Sequence, residues 1–149
     1  MNKDQRVLRI LFTFAGGTGH FLPLVPLARA AERAGHLVTF GGQPGMLYVI
    51  EQAGFSGFDT GGPTLLAGSE RTPLLELDME RELRAVREGY AGRTARERAT
   101  AVLQLCEAWQ PDVLVCDEMD FGALVAAERA DDAARAGVRH HAFAMWKEE

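Results

Sequence analysis

The chain opens with an uninterrupted apolar run and then a helical repeat of apolar positions. Residues 8–14 read Leu-Arg-Ile-Leu-Phe-Thr-Phe, which is mostly apolar rather than alternating. This pattern predicts a strand buried on both faces of a parallel sheet. A glycine-rich turn follows at residues 15–20, apolar residues then recur at helical spacing over residues 24–34, and Gly35 predicts the end of that helix. The opening therefore predicts a strand, a glycine loop and a helix.

The same alternation continues along the rest of the chain. The patterns predict strands over residues 36–40, 55–59, 112–117 and 138–145, and helices over residues 46–53, about 74–88, 95–109 and 122–130. The glycines at 89 and 92 predict a break between the two long helices. Strands that alternate with helices favour right-handed crossovers and a parallel sheet. We expect an α/β fold, a Rossmann-like doubly wound parallel sheet, in a single domain over residues 1–149.

Composition narrows the class of partner. The chain has 149 residues, which leave room for one domain with a core but not for two. Its 16 Lys and Arg against 21 Asp and Glu are spread evenly, so we expect no nucleic-acid partner. Its two cysteines form no CxxC pair, which is typical of a reducing, cytoplasmic compartment, and we find no run that predicts a transmembrane segment. The expected partner is a small molecule or another protein, with a second copy of the chain among the candidates.

The glycine-rich loop does not match the common nucleotide-binding patterns. Leu22 stands where the third glycine of GxGxxG belongs, the second strand ends without an acidic residue to hold a ribose, and no lysine is near for a phosphate-binding loop. His140 and His141 would point to opposite faces of a strand, so they do not form a metal site together. We therefore expect no bound cofactor and no metal.

Two polar residues lie at the ends of predicted strands. His20 follows the first strand, in the crevice where open α/β sheets bind ligands, and Asp117 ends the fourth predicted strand. If these strands are adjacent, Asp117 would orient His20 as a general base that activates a hydroxyl. The alternative is structural: His20 would cap the helix after the loop, and Asp117 or Asp120 would cap the next one.

Several motifs resemble those of a known enzyme family. They are Gly19-His20-Phe21-Leu22-Pro23-Leu24, Leu27-Ala28, Ala34-Gly35-His36-Leu37-Val38-Thr39, Pro111-Asp112-Val113-Leu114-Val115-Cys116-Asp117 and Ala126-Ala127. They resemble the N-terminal domain of family 1 glycosyltransferases of the GT-B fold, in particular the bacterial enzymes that glycosylate antibiotics and other natural products. The glycine-rich turn is also similar to that of the lipid-linked N-acetylglucosamine transferases, with one glycine missing. The sequence departs from the family pattern after Ala127, because the segment 128–138 is longer and more charged than the usual connection to the next strand.

The resemblance implies a function for the chain. It implies an inverting, metal-independent transfer of a sugar from a nucleoside diphosphate donor to a hydroxyl of a small, largely apolar natural product. His20 would be the base and Asp117 the acid that orients it. The residues expected at the acceptor are Gly19, Phe21, Leu65, Leu66 and Met79.

The resemblance also implies a missing partner. The donor would bind mainly to a C-terminal domain, fused or separate, that these 149 residues do not include, so the isolated chain should be inactive. The alternative is a free-standing interaction subunit that binds an acceptor or a membrane partner and recruits a separate donor-binding chain.

Overall fold

The fold is a five-stranded parallel sheet with helices on both faces. A computed structural model describes residues 6–62, 75–135 and 141–144. The strands are β1 (Arg9–Thr13), β2 (Leu37–Gly42), β3 (Gly57–Asp59), β4 (Val113–Cys116) and β5 (His141–Ala144). They lie in the order β3-β2-β1-β4-β5, and every pairing is parallel. This order runs outwards in both directions from β1, so the expected doubly wound α/β class is confirmed.

The helices follow the predicted alternation with the strands. They are α1 (Thr18–Phe21), α2 (Val25–Arg33), α3 (Leu47–Gln52), α4 (Met79–Arg84), α5 (Ala95–Trp109) and α6 (Phe121–Arg135). Short 3-10 turns, Leu22–Leu24 and Pro44–Met46, lead into α2 and α3. Within the described ranges no helix is both long enough and apolar enough to cross a membrane.

Alternate residues of the central strand enter two separate cores. Ile10 and Phe12 of β1 pack with Ala28 of α2 and Ile50 of α3. Leu11, the residue between them, packs on the other face against buried residues of α5 and α6. Successive side chains of a strand point to opposite faces, so a mostly apolar strand is what a sheet covered on both sides requires.

The predicted break at residues 89–92 is wrong. A π-helical segment, Ala85–Thr94, joins α4 directly to α5. A glycine in a helix costs only about 1 kcal/mol relative to alanine, which does not by itself end a helix. At Gly92 the wider helical turn favours glycine, because a Cβ there would lie 3.1 Å from the carbonyl oxygen of Arg87.

The last crossover is more helical than predicted. α6 continues to Arg135 instead of ending near residue 130. The run of alanines and charged residues after position 130 contains no glycine or proline before Gly137, so nothing in it opposes a helix. β5 then occupies His141–Ala144, beside β4. The remainder of the predicted strand over 138–145 lies outside the described residues.

Candidate active site

The carboxyl ends of β1 and β4 lie side by side. Thr13 is in register with Cys116, and the N–H of Asp117 donates to the carbonyl oxygen of Thr13 at 2.9 Å. The chain leaves β1 through the glycine loop and enters α1, which carries His20 in its last turn. Both polar residues are therefore delivered to one edge of the sheet by adjacent strands, as the sequence predicts.

His20 and Asp117 are in direct contact. Nδ1 of His20 lies 3.0 Å from Oδ2 of Asp117, with the two side chains 34% and 14% exposed. An ionised carboxylate only accepts hydrogen bonds, so Nδ1 carries the proton and donates it. This selects the tautomer in which Nε2 has a free lone pair, directed away from the carboxylate. The pair has the geometry of a general base and the group that orients it.

The microenvironment of Asp117 balances two opposing effects. Partial burial is the main cause that raises the pKa of its carboxyl above the ordinary value. The charge and hydrogen bond of His20 and the N–H of Met119, which donates to Oδ2 at 3.2 Å, lower that pKa. The carboxylate thus has two donors that hold its orientation toward the imidazole.

The glycine loop makes room for the imidazole. Gly16 has a φ of +137°, a conformation that side chains rarely adopt, and a Cβ there would lie 2.3 Å from Cδ2 of His20. The N–H of Gly16 donates at 2.8 Å to Oε1 of Gln43, which is buried at the end of β2. The sequence reasoning missed Gln43, although a polar residue between Gly42 and Pro44 at a strand end was a visible signal.

The structure shows which of the two acids near α6 caps that helix. Oδ1 of Asp120 accepts the N–H of Ala123 at 3.2 Å, so Asp120 caps α6 while Asp117 faces His20. Gly17, without a side chain, is the N-cap of α1, so His20 is not a cap. Asp120 also forms a fully buried ion pair with Arg98 of α5. Sequence reasoning missed this pair because Arg98 lies in a stretch of alternating charges that is typical of a solvent-exposed helix.

The residues expected at the acceptor have different surroundings. Gly19 is exposed on α1, and Met79, the first residue of α4, is 59% exposed. Phe21 requires a correction, because its side chain is completely buried and packs on Phe14 and Phe40, with ring centroids 5.4 and 5.2 Å apart. Phe21 is a core residue whose side chain offers no surface to an acceptor. Leu65 and Leu66 lie outside the described residues.

Metal-binding and pocket geometry add little to the site. No group of three or more His, Cys, Asp or Glu side chains suited to a metal occurs among the residues that the structure describes. An open groove of about 480 Å³ follows α4 and the π-helical segment, and neither His20 nor Asp117 lines it. The two candidate catalytic side chains thus lie outside this groove.

Known proteins that are similar to this chain in sequence and in fold are glycosyltransferases. No family model matches the chain. In an alignment of 133 positions that covers 83% of this chain and 32% of the relative, it is 30% identical to an L-demethylnoviosyl transferase of Streptomyces niveus. The chain thus spans about a third of the length of the curated relative that it matches.

Solved structures that match the fold of this chain are also glycosyltransferases. The glycosyltransferase SsfS6 of Streptomyces sp. SF2575 matches 82% of this chain and 37% of its own, with 29% identity and a TM-score of 0.63. The structure of SsfS6 complexed with thymidine diphosphate matches 92% of this chain and 38% of its own, with 26% identity and a TM-score of 0.64. The resemblance to bacterial natural-product glycosyltransferases is confirmed in sequence and in fold, and the chain matches part of the length of each of these enzymes.

Proposed function

We propose that the chain is the acceptor-binding half of an inverting glycosyltransferase. In this proposal the enzyme transfers a sugar from a nucleoside diphosphate to a hydroxyl of a small, largely apolar natural product. The observation that carries the proposal is the contact between Nδ1 of His20 and Oδ2 of Asp117, 3.0 Å apart at the carboxyl edge of the sheet. A free Nε2 on a partly exposed, oriented imidazole is what the activation of an acceptor hydroxyl needs.

The chemistry follows from this tautomer. Nε2 of His20 takes the proton of the acceptor hydroxyl while the oxygen forms a bond to the anomeric carbon of the donor. The bond from that carbon to the phosphate oxygen of the donor breaks, and the nucleoside diphosphate leaves with the electron pair. Attack from the face opposite the leaving group inverts the anomeric configuration. Asp117 stabilises the imidazolium that forms, and a positioned base of this kind contributes about 10²- to 10⁴-fold to the rate.

The donor and the second domain are inferred from the relatives. SsfS6 was crystallised with thymidine diphosphate, which supports a nucleoside diphosphate donor for this chain. The chain corresponds to only 38% of that structure, which supports a separate donor-binding part, fused or independent. Glycosyl transfer would then occur in the cleft between the two parts.

The exposed apolar residues of α4 support an apolar acceptor. Its apolar residues Met79 and Leu83 are 59% and 60% exposed, and α4 buries none of its residues. Exposed large apolar side chains grouped on one short helix favour contact with an apolar ligand or partner. We therefore keep Met79, with Leu65 and Leu66 of the preceding segment, as proposed acceptor contacts.

Sugar transfer by the chain, alone and joined to a donor-binding domain, tests this function. We expect the chain alone to be stabilised in thermal unfolding by an aromatic or macrolide aglycone but to transfer no sugar. When it is joined to the donor-binding domain of a similar Streptomyces enzyme, transfer from a thymidine diphosphate sugar should appear. Transfer by the chain alone would contradict the half-enzyme proposal, and a native reading frame that stops beside a separate donor-binding gene would favour the interaction subunit.

A further inference from the structure

The guanidinium of Arg98 is completely buried in the protein. Its Nε donates to Oδ1 of Asp120 at 2.8 Å and its Nη2 to Oδ2 at 2.6 Å, with both side chains 0% exposed. Its Nη1 donates at 3.1 Å to the carbonyl oxygen of Gly61, beyond β3. Arg98 therefore fastens α5 to two other parts of the chain, with the planar two-pronged geometry that only arginine provides.

Asp120 connects the Arg98 contact to the proposed active site. Its N–H donates to the carbonyl oxygen of Asp117 at 3.0 Å, which closes a four-residue turn over residues 117–120. At the other end of the turn, Asp117 is bound through its N–H to Thr13 and through its carboxylate to His20. The turn thus has contacts with β1 at its start and with Arg98 at its end.

We propose that Arg98 is a positioning residue: by holding Asp120, it keeps the Asp117 carboxylate on Nδ1 of His20. The consequence for the rate of sugar transfer rests on the proposed function, whereas the effect on His20 does not. Asp120 also acts on this site through its charge, because its carboxylate contributes to raising the pKa of Asp117.

Stability and helix capping do not explain the pair. Replacing both members of a buried ion pair by uncharged residues is often neutral for stability, since desolvation offsets their attraction. An aspartate or asparagine caps a helix equally well without an arginine behind it. A buried, two-pronged contact three residues from Asp117 is better explained by the orientation that it imposes on the turn.

The tautomer of His20 is the direct readout. In ¹⁵N NMR spectra at a pH of about 9, above the ordinary imidazole pKa, the wild-type chain should show His20 protonated on Nδ1. In the double variant Arg98→Met/Asp120→Asn, which keeps a helix cap and removes both charges, we expect a mixture of tautomers. Arg96→Met, an exposed position on α5, is the matched control and should leave the Nδ1 tautomer unchanged.

Thermal unfolding separates positioning from folding. The single variant Arg98→Met leaves the Asp120 carboxylate buried without its partner and should lower the Tm by on the order of 10 °C, whereas the double variant should recover most of this loss. A double variant that recovers stability and retains a pure Nδ1 tautomer would overturn the proposal. If the double variant does not fold, Arg98→Lys tests the proposal, because lysine keeps the positive charge but cannot make the two parallel hydrogen bonds to Asp120. A mixture of His20 tautomers in this variant supports the proposal, and a pure Nδ1 tautomer overturns it.

Kinetics distinguish a failure of this inference from a failure of the proposed function. In the enzyme completed with a donor-binding domain, the double variant should lower kcat by about tenfold or more and leave the KM for the acceptor unchanged. Full activity of this variant, together with loss of activity in His20→Ala, would reject the role of Arg98 alone. Full activity of His20→Ala would reject the proposed function, while the NMR result for Arg98 would still stand.

Discussion

Gly16→Ala is the substitution whose effect can be worked out most completely. A Cβ at this position would lie 2.3 Å from Cδ2 and 2.9 Å from Nε2 of His20, whereas carbon atoms in contact are normally about 3.5–4.0 Å apart. The imidazole must therefore move by about 1 Å or more. Its contact with Asp117, 3.0 Å long, would then exceed the length of a hydrogen bond. The φ of +137° adds backbone strain, with a cost of about 1–3 kcal/mol.

Three measurements check Gly16→Ala. We expect a decrease in the free energy of unfolding of about 1–3 kcal/mol, loss of the Nδ1 tautomer of His20 in ¹⁵N spectra, and a decrease in kcat of about 100-fold in the completed enzyme. Gly19→Ala is the matched control for stability and tautomer, because nothing lies within 4 Å of a Cβ at Gly19 and its φ is not positive. A Gly16→Ala variant with wild-type stability and an unchanged tautomer would refute the close packing of the imidazole on this loop.

Three further predictions concern other parts of the chain. Gly122→Ala should lower the Tm by several degrees, because its Cβ would lie 2.6 Å from the Cβ of Arg98; a Tm at or above wild type would show that α5 and α6 separate easily. Burial raises the pKa of Cys106 to about 11 and that of Cys116 to about 12, so neither thiol should react with iodoacetamide at a pH of about 8 until the chain unfolds; rapid labelling of the native protein would contradict this. Folding raises the pKa of Asp117, so the protonated carboxyl favours the folded state; this stabilisation is present below the ordinary carboxyl pKa and is lost as the pH rises through the folded-state pKa. As the pH is lowered from about 7 to about 4, the free energy of unfolding of the wild type should therefore increase relative to that of Asp117→Asn. A decrease would mean that burial is not the main effect on this pKa.

The sheet could be predicted from the sequence because its determinants are local. A strand covered on both faces must be apolar at successive positions, and residues 8–14 and 112–117 have this pattern. Once β1 and β4 are neighbours, the polar residues that follow them share one edge, so the contact of His20 with Asp117 could be anticipated. The roles given to these two residues remain predictions.

The supporting contacts could not be predicted because they depend on tertiary packing. Arg98 has neighbours along the chain that are typical of an exposed helix, yet the closure of α6 against α5 buries it completely. Phe21 lies beside His20 in the motif, but the turn of α1 directs it into the core. A sequence pattern reports how often apolar residues recur, and it does not report which polar residue finds a buried partner at the far side of the fold.

The role of His20 as the general base is tested most directly by the rate of sugar transfer in His20→Ala. In the enzyme completed with a donor-binding domain, we expect kcat to fall by about 100-fold or more, with binding of the acceptor retained. His36→Ala is the matched control, since His36 lies at the opposite end of the sheet, where its Nδ1 accepts the N–H of Leu8, and it should transfer sugar at the wild-type rate. Activity of His20→Ala within about tenfold of wild type would show that His20 is not the base.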